Sequence, residues 1–228
     1  RTLKAIGLNA VNLSLDTFDR DKFERVTGRD LFHKVRENMD ALLDAGIPFK
    51  LNAVAMRGFN DDELPAFVDY AMRHPVDVRF IEFMPMGEGT RWSDSCFWPA
   101  PDILDAVKGL VSVAPVEQGQ RSGGPARLYA LSGPDGPGLG RLGLITPLSS
   151  HFCTDCNRLR ITSDGALRTC LFDDREYRLR NALRHPRLGI EVVRRIVTLA
   201  TREKPIGARL LERRRNAVAQ RRMTAIGG

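Results

Sequence analysis

Three of the four cysteines, Cys153, Cys156 and Cys170, fall in one short segment with the pattern C-x2-C-x13-C. A C-x2-C pair on a tight turn points two thiolates at one metal centre. Ser163-Asp164-Gly165 is a hairpin turn signal, and a chain that doubles back there brings Cys170 beside the pair. Three thiolates admit a zinc site, with His151 or the distant Cys96 as a fourth ligand. They also admit a [4Fe–4S] cluster with one iron left open for a ligand, which the spacing favours less than zinc. A disulfide or plain buried thiols is the third reading, and spacing alone does not choose among them. Disulfides are uncommon in a cytosolic chain. A single His beside a Cys pair is more often a hydrogen-bonding loop residue. Cys96, next to Phe97-Trp98-Pro99, is expected to pack as a small apolar residue.

Ahead of this segment the hydrophobic pattern alternates between periods of two and 3.6. Residues 10–15 read as a strand, with Val11, Leu13 and Leu15 on one side and Asn12 and Ser14 on the other. Leu31, Val35, Met39 and Leu42 recur at helical spacing until Gly46 and Pro48 stop the helix. Residues 49–56 form a second strand. Asn60, Asp61 and Asp62 are candidate caps for a helix reaching about Met72. Residues 77–84 form a third strand and 101–110 a helix with Pro and Asp in its first turn. This β-α-β-α-β order with short connections predicts parallel strands and an α/β fold. Beyond residue 110, short strand candidates at 114–117, 127–131 and 142–147 are separated by turns, including the Gly- and Pro-rich stretch 132–138. They suggest a small antiparallel appendage. Residues 188–201 and 208–220 read as basic helices.

Composition narrows the partners. With 43% apolar and 28% charged residues in 228, a globular core is expected and wholesale disorder is excluded. No apolar run is long enough for a transmembrane helix, and residues 1–10 lack the apolar core of a signal peptide, so the expectation is a cytoplasmic protein. The net charge of +7 is uneven. Residues 175–228 hold 15 basic and 4 acidic side chains, whereas residues 1–174 are net negative at −4. The basic part has one aromatic, Tyr177, so the stacking rings of a single-strand nucleic-acid binder are missing. A phosphorylated small molecule fits that charge better than nucleic acid.

The run Phe152-Cys153-Thr-Asp-Cys156-Asn157-Arg158-Leu159-Arg160, followed by Asp164-Gly165 and Cys170-Leu171, resembles the GTP 3′,8-cyclases, radical S-adenosylmethionine (SAM) enzymes of molybdenum-cofactor biosynthesis. The segments Asn12-Leu-Ser14-Leu-Asp16, Lys50-Leu-Asn52-Ala-Val54, Gly58-Phe-Asn60-Asp61 and Arg79-Phe-Ile-Glu82-Phe-Met84, and the terminal Gly227-Gly228, are similar to that family's in the same order. The resemblance implies that Cys153, Cys156 and Cys170 hold a [4Fe–4S] cluster whose open iron ligates the GTP base, which displaces the zinc preference. It implies that Arg158, Leu159 and Arg160 contact GTP and Lys50 reaches its phosphates. It implies that Ser14, Asn52 and the backbone of Met84 line the SAM site. Arg158, Arg160 and the inserted Gly227-Gly228 tail would support catalysis. The implied reaction converts GTP, through a SAM-derived radical, to (8S)-3′,8-cyclo-7,8-dihydroguanosine 5′-triphosphate. The implied partners are a second copy of the full-length chain and a downstream cyclic pyranopterin monophosphate synthase.

The residue types are consistent with those roles. Arg158 and Arg160 alternate, so an extended segment points both to one face, and forked guanidiniums suit a polyphosphate. Lys50 and Asn52 alternate likewise, and a Lys turned inward on a strand costs desolvation unless an anion meets it. One departure stands out. The family's N-terminal C-x3-C-x2-C, which binds the SAM-cleaving cluster, is absent, and the chain opens on Arg1 rather than Met. The expectation is therefore a partial TIM-like (radical SAM) barrel truncated at its N-terminus, residues 1–110, with a cluster- and GTP-binding extension, residues 111–228. Alone it would be inactive, and the second [4Fe–4S] cluster would belong to the full-length enzyme. The alternatives are a non-catalytic zinc-binding α/β module and a different radical SAM enzyme with an auxiliary cluster.

Overall fold

The computed structural model describes residues 2–87, 90–117, 124–151, 153–154, 156–207, 209–210 and 225. Two compact units emerge, Arg1–Phe83 with Asp94–Ser149, and Met84–Ser93 with Ser150–Gly228.

The first unit is built on one six-stranded sheet. Its strands are β1 (Val11–Ser14), β2 (Phe49–Ala55), β3 (Asp77–Glu82), β4 (Ser112–Pro115), β5 (Arg127–Gly133) and β6 (Gly136–Ile145), in the order β1-β2-β3-β6-β5-β4. Neighbours from β1 to β6 pair parallel, and β6-β5-β4 pair antiparallel. The helices are α1 (Thr2–Ala5), α2 (Arg20–Thr27), α3 (Phe32–Asp44), α4 (Leu64–Arg73) and α5 (Ala100–Lys108). This is an α/β fold with a mostly parallel sheet.

Local chemistry explains where the elements start and stop. Asp19 accepts from the Lys22 backbone N–H at 2.8 Å and caps α2, and Gly28 in the left-handed region ends it. Helices α4 and α5 each carry a proline in the first turn, where no amide hydrogen is needed. On β2, Phe49, Leu51, Ala53 and Ala55 are buried and alternate with half-buried Lys50, Asn52 and Val54. The buried set joins Met39, Phe67, Val68, Val78, Phe80 and Ile103 in one core cluster, so the sheet buries one face against the helices. At the end of β3, the Glu82 carboxylate is 1% exposed. It accepts from the backbone N–H groups of Ala100 (3.0 Å), Leu148 (2.8 Å) and Ser149 (3.0 Å) and from the Ser149 hydroxyl. A single side chain thus holds the start of α5 and the segment that follows β6.

The structure differs from the expectations at three places. The strand candidates at 114–117, 127–131 and 142–147 form no separate appendage, because β6 inserts beside β3 and carries β5 and β4 into the same sheet. The Gly- and Pro-rich stretch is mostly strand, with only Pro134-Asp135 left as the turn between β5 and β6. Asn60 stands at the start of a 3-10 turn, but its side chain caps no helix. Its amide donates to the carbonyls of Asp16 (2.7 Å) and Val54 (2.8 Å) while its oxygen accepts from Met56 N–H (2.9 Å), and a 3-10 turn, Asp61–Glu63, precedes α4.

The second unit contains a short antiparallel hairpin, β7 (Arg160–Ile161) with β8 (Leu167–Arg168), and two helices, α6 (Leu179–Arg184) and α7 (Gly189–Arg202). The hairpin closes as the turn signal predicts. Thr162 N–H donates to Ala166 O and Ala166 N–H to the Thr162 hydroxyl, both at 2.8 Å. The helix expected at 208–220 and the Gly227-Gly228 pair lie almost wholly outside the described residues. No described helix is long and apolar enough to cross a membrane.

Candidate cysteine site and polar sheet face

In the first unit, strand register sets out two polar rows on the sheet face opposite the core. One row is Asn12, Lys50, Asp77 and Arg141, each the direct cross-strand partner of the next. The other is Ser14, Asn52, Arg79 and Gly143. Lys50, Asn52 and Ser14 therefore share one surface, as the alternation predicts. Asn12 and Ser14 are exposed, whereas Lys50 and Asn52 are half-buried. The Asn52 side-chain oxygen is buried and accepts no hydrogen bond from the described residues.

The charges on this face are unbalanced in a readable way. Asp77 pairs with Arg141 through Nε at 2.7 Å and Nη2 at 3.2 Å, and with Arg79 at 3.4 Å. Burial, then the neighbouring Arg79, pushes the Lys50 ammonium below its ordinary range, and Asp77 only partly opposes them. Burial does the same to Arg79. A face that resists further positive charge is suited to an anion. Arg79 and Arg141 were not singled out for this from the sequence. The available signal was a cation in the middle of an apolar strand, which is rare unless something pairs with it.

Met84, expected beside Ser14 and Asn52, belongs to the second unit, where its carbonyl accepts from Met86 N–H at 2.8 Å.

The second unit brings the three cysteines of the motif into mutual influence. Cys156 N–H reaches back to Cys153 O at 3.4 Å, which forms the tight turn of the C-x2-C pair. A Cβ placed on Gly207 would lie 2.9 Å from the Cys170 sulfur and 3.7 Å from the Cys153 sulfur, so both thiols flank that one backbone position. Burial pushes the Cys170 thiol up, and the charges of Cys153 and Cys156 add to the rise against a backbone hydrogen bond from Phe172. Burial would also raise Cys156, but the Arg158 backbone N–H and the Lys204 ammonium outweigh it and hold that thiol below its ordinary range. None of the four cysteines is joined in a disulfide. Among the described residues, no three His, Cys, Asp or Glu side chains are placed to hold a single metal ion.

Arg158 and Arg160 are half-buried while Leu159 between them is exposed, in keeping with a shared face for the two guanidiniums. Burial and the adjacent Arg158 lower Arg160, opposed by the thiols of Cys156 and Cys170. Arg168, the cross-strand partner of Arg160, is fully buried and paired with Asp174 and Glu176. His151 is exposed. Cys96 lies in the first unit, where its carbonyl accepts from Arg57 N–H at 3.0 Å. Near the chain end, Ala225 O accepts from Ser163 N–H at 3.3 Å, at the tip of the hairpin. Gly227 and Gly228, expected to support catalysis, lie outside the described residues.

Comparison with known proteins gives two family matches. Residues 76–210 match Molybdenum Cofactor Synthesis C, and residues 1–71 match the Radical SAM superfamily. Relatives named GTP 3′,8-cyclase align along the chain. The protein of Alkaliphilus oremlandii is 41% identical over 99% of this chain and 67% of its own length. That of Pelotomaculum thermopropionicum is 38% identical over 100% of this chain and 68% of its own. That of Syntrophomonas wolfei subsp. wolfei is 41% identical over 89% of this chain and 61% of its own. The chain thus spans about two thirds of the length of the relatives it matches.

Proposed function

The chain belongs to the molybdenum-cofactor-synthesis family of the GTP 3′,8-cyclases, and from that we propose that it carries the substrate-cluster and GTP-binding part of such an enzyme. In this reading Cys153, Cys156 and Cys170 hold a [4Fe–4S] cluster. The observation that carries it is the gathering of three free thiols around Gly207 and Lys204, with the Arg160 guanidinium within electrostatic reach of two of them.

The donor set fits the group. Burial and the neighbouring Cys153 and Cys156 raise the proton affinity of Cys170, a cost that a multiply charged metal centre relieves. A cubane accepts each thiolate on its own iron, so the sulfurs need not converge on one ion. When bound, the cluster supplies an iron with an open position for a ligand atom of the substrate base. Arg158 and Arg160 offer forked donors to the substrate's oxygens, and Leu159 packs against it. In the first unit Lys50, with Arg79 and Arg141 in the same two rows, presents positive charge to phosphate. Ser14, Asn52 and the backbone of Met84 contact SAM. The buried, unsatisfied Asn52 oxygen supports a ligand donor at that point. A mostly parallel sheet with helices against one face and polar rows on the other supports a partial radical SAM barrel. Gly227 and Gly228 complete the assignment as the catalytic tail. The full-length enzyme is a cytoplasmic homodimer with a second cluster. It converts GTP to (8S)-3′,8-cyclo-7,8-dihydroguanosine 5′-triphosphate, the precursor for cyclic pyranopterin monophosphate synthase.

Anaerobic reconstitution with iron and sulfide tests this. The expected product is brown and holds about four iron per chain. Stoichiometric zinc that iron does not displace would overturn the reading in favour of a zinc module.

A further inference from the structure

Lys204 follows α7 and lies 48 residues from Cys156 in sequence, yet its ammonium reaches the C-x2-C turn. The Nζ donates to Cys156 O at 2.7 Å, to Arg158 O at 2.9 Å and to the Cys156 sulfur at 3.4 Å. An ammonium has three hydrogens, and all three acceptors belong to the cysteine segment. The two carbonyls flank Asn157, so one cation fixes the backbone that leads from Cys156 to Arg158. Three residues further on, Gly207 passes so close to Cys170 and Phe172 that a Cβ would lie 2.9 Å from each.

We infer that Lys204 is a positioning residue for the iron–sulfur centre, orienting the Cys156 thiolate and setting the centre's reduction potential through its charge and its N–H···S hydrogen bond. The inference rests on the cluster reading of the cysteine site. Donors to ligand sulfur and nearby positive charge stabilise the reduced, more negative state, and thus raise the potential. The same three bonds hold the turn against loss of metal.

The full 228-residue chain is reconstituted anaerobically as wild type, Lys204→Met and Lys204→Arg. Iron content, EPR-monitored midpoint potential and the rate of iron release to a chelator are then compared. Lys204→Met is expected to keep its iron, to shift to a more negative midpoint and to release iron several-fold faster. Lys204→Arg is expected to recover much of both changes. A Lys204→Met chain with wild-type potential and release rate overturns the inference. If Lys204→Met takes up no iron, uptake regained in Lys204→Arg supports the inference, and equal loss in both overturns it. A wild-type chain that takes up no cluster removes the cluster reading itself, a result separate from any Lys204 variant.

Discussion

A Cβ built on Gly143 of β6 would lie 2.7 Å from Arg79 Cγ on β3, so the glycine is what leaves room for the buried arginine beside it. The two are direct cross-strand partners, and Arg79 is 5% exposed. Gly143→Val is expected to cost about 1–3 kcal/mol through overpacking. Urea unfolding of Gly143→Val, Arg79→Ala and the double variant checks the cause. The valine should cost clearly less once Arg79 is truncated, and simple additivity would show that the two do not compete for space.

Glu82 gives a second expectation. Its carboxylate faces three backbone N–H groups and a hydroxyl in a buried site. Glu82→Gln keeps the shape but turns one acceptor into a donor aimed at donors. The expected loss is about 2 kcal/mol, read as a lower urea midpoint with an unchanged slope. Hydrogen exchange should quicken first at Ala100, Leu148 and Ser149.

Asp16 sets a pH dependence. Burial raises its carboxyl above the ordinary range, against the opposing hydrogen bond from Val54 N–H at 2.8 Å. The folded chain therefore holds this proton more tightly than the unfolded chain does. The contribution of Asp16 to stability falls as pH rises above the unfolded value of about 3.9. Asp16→Asn keeps an acceptor for Val54 and carries no charge. Its stability relative to wild type should grow as pH is raised from about 4 to about 7. A difference that stays flat over that range would remove the burial effect.

Arg158→Ala and Arg160→Ala are each expected to weaken GTP binding to the reconstituted chain by about tenfold, the worth of one charge-assisted hydrogen bond. Iron content should stay unchanged. Calorimetric titration with GTP is the measurement, and unchanged affinity in both variants would remove their assigned role.

What the sequence made legible follows the physics of each segment. Strands β1 and β2 were readable because each alternates over a half-buried surface, β3 because Asp77-Val78-Arg79-Phe80 alternates in residue type although the strand is buried almost throughout, and α3 because its apolar residues keep one stripe. Of strand β6 only the end, within 142–147, was readable, because the glycines and prolines of its first half imitate a turn. Its glycines are there for close approach: a Cβ on Gly140 would lie 2.2 Å from Val76 O, and one on Gly143 would strike Arg79. Helix α2 is short and mostly charged, and little in its pattern separates it from a loop. The cysteine triad was visible as local spacing, and the hairpin between its halves as turn chemistry. Lys204 and the Arg79–Asp77–Arg141 group were hidden, since they meet through tertiary pairing that no local pattern records. The resemblance covered the motif residues but attached no role to Lys204, Arg79 or Arg141.

The bond between Asp77 and Arg141 joins positions 64 residues apart. Strands β3 and β6 are neighbours in the sheet, yet the chain makes α5, β4 and β5 between them. Closing so long a loop costs entropy that only the finished β3–β6 ladder repays. The Asp77–Arg141 pair is therefore expected to form late in folding. During synthesis, β1, β2 and β3 emerge and can pair while Arg141, the partner of Asp77, is still missing. A chain stopped short of residue 145 would display Lys50 and Arg79 without the strand that completes their setting.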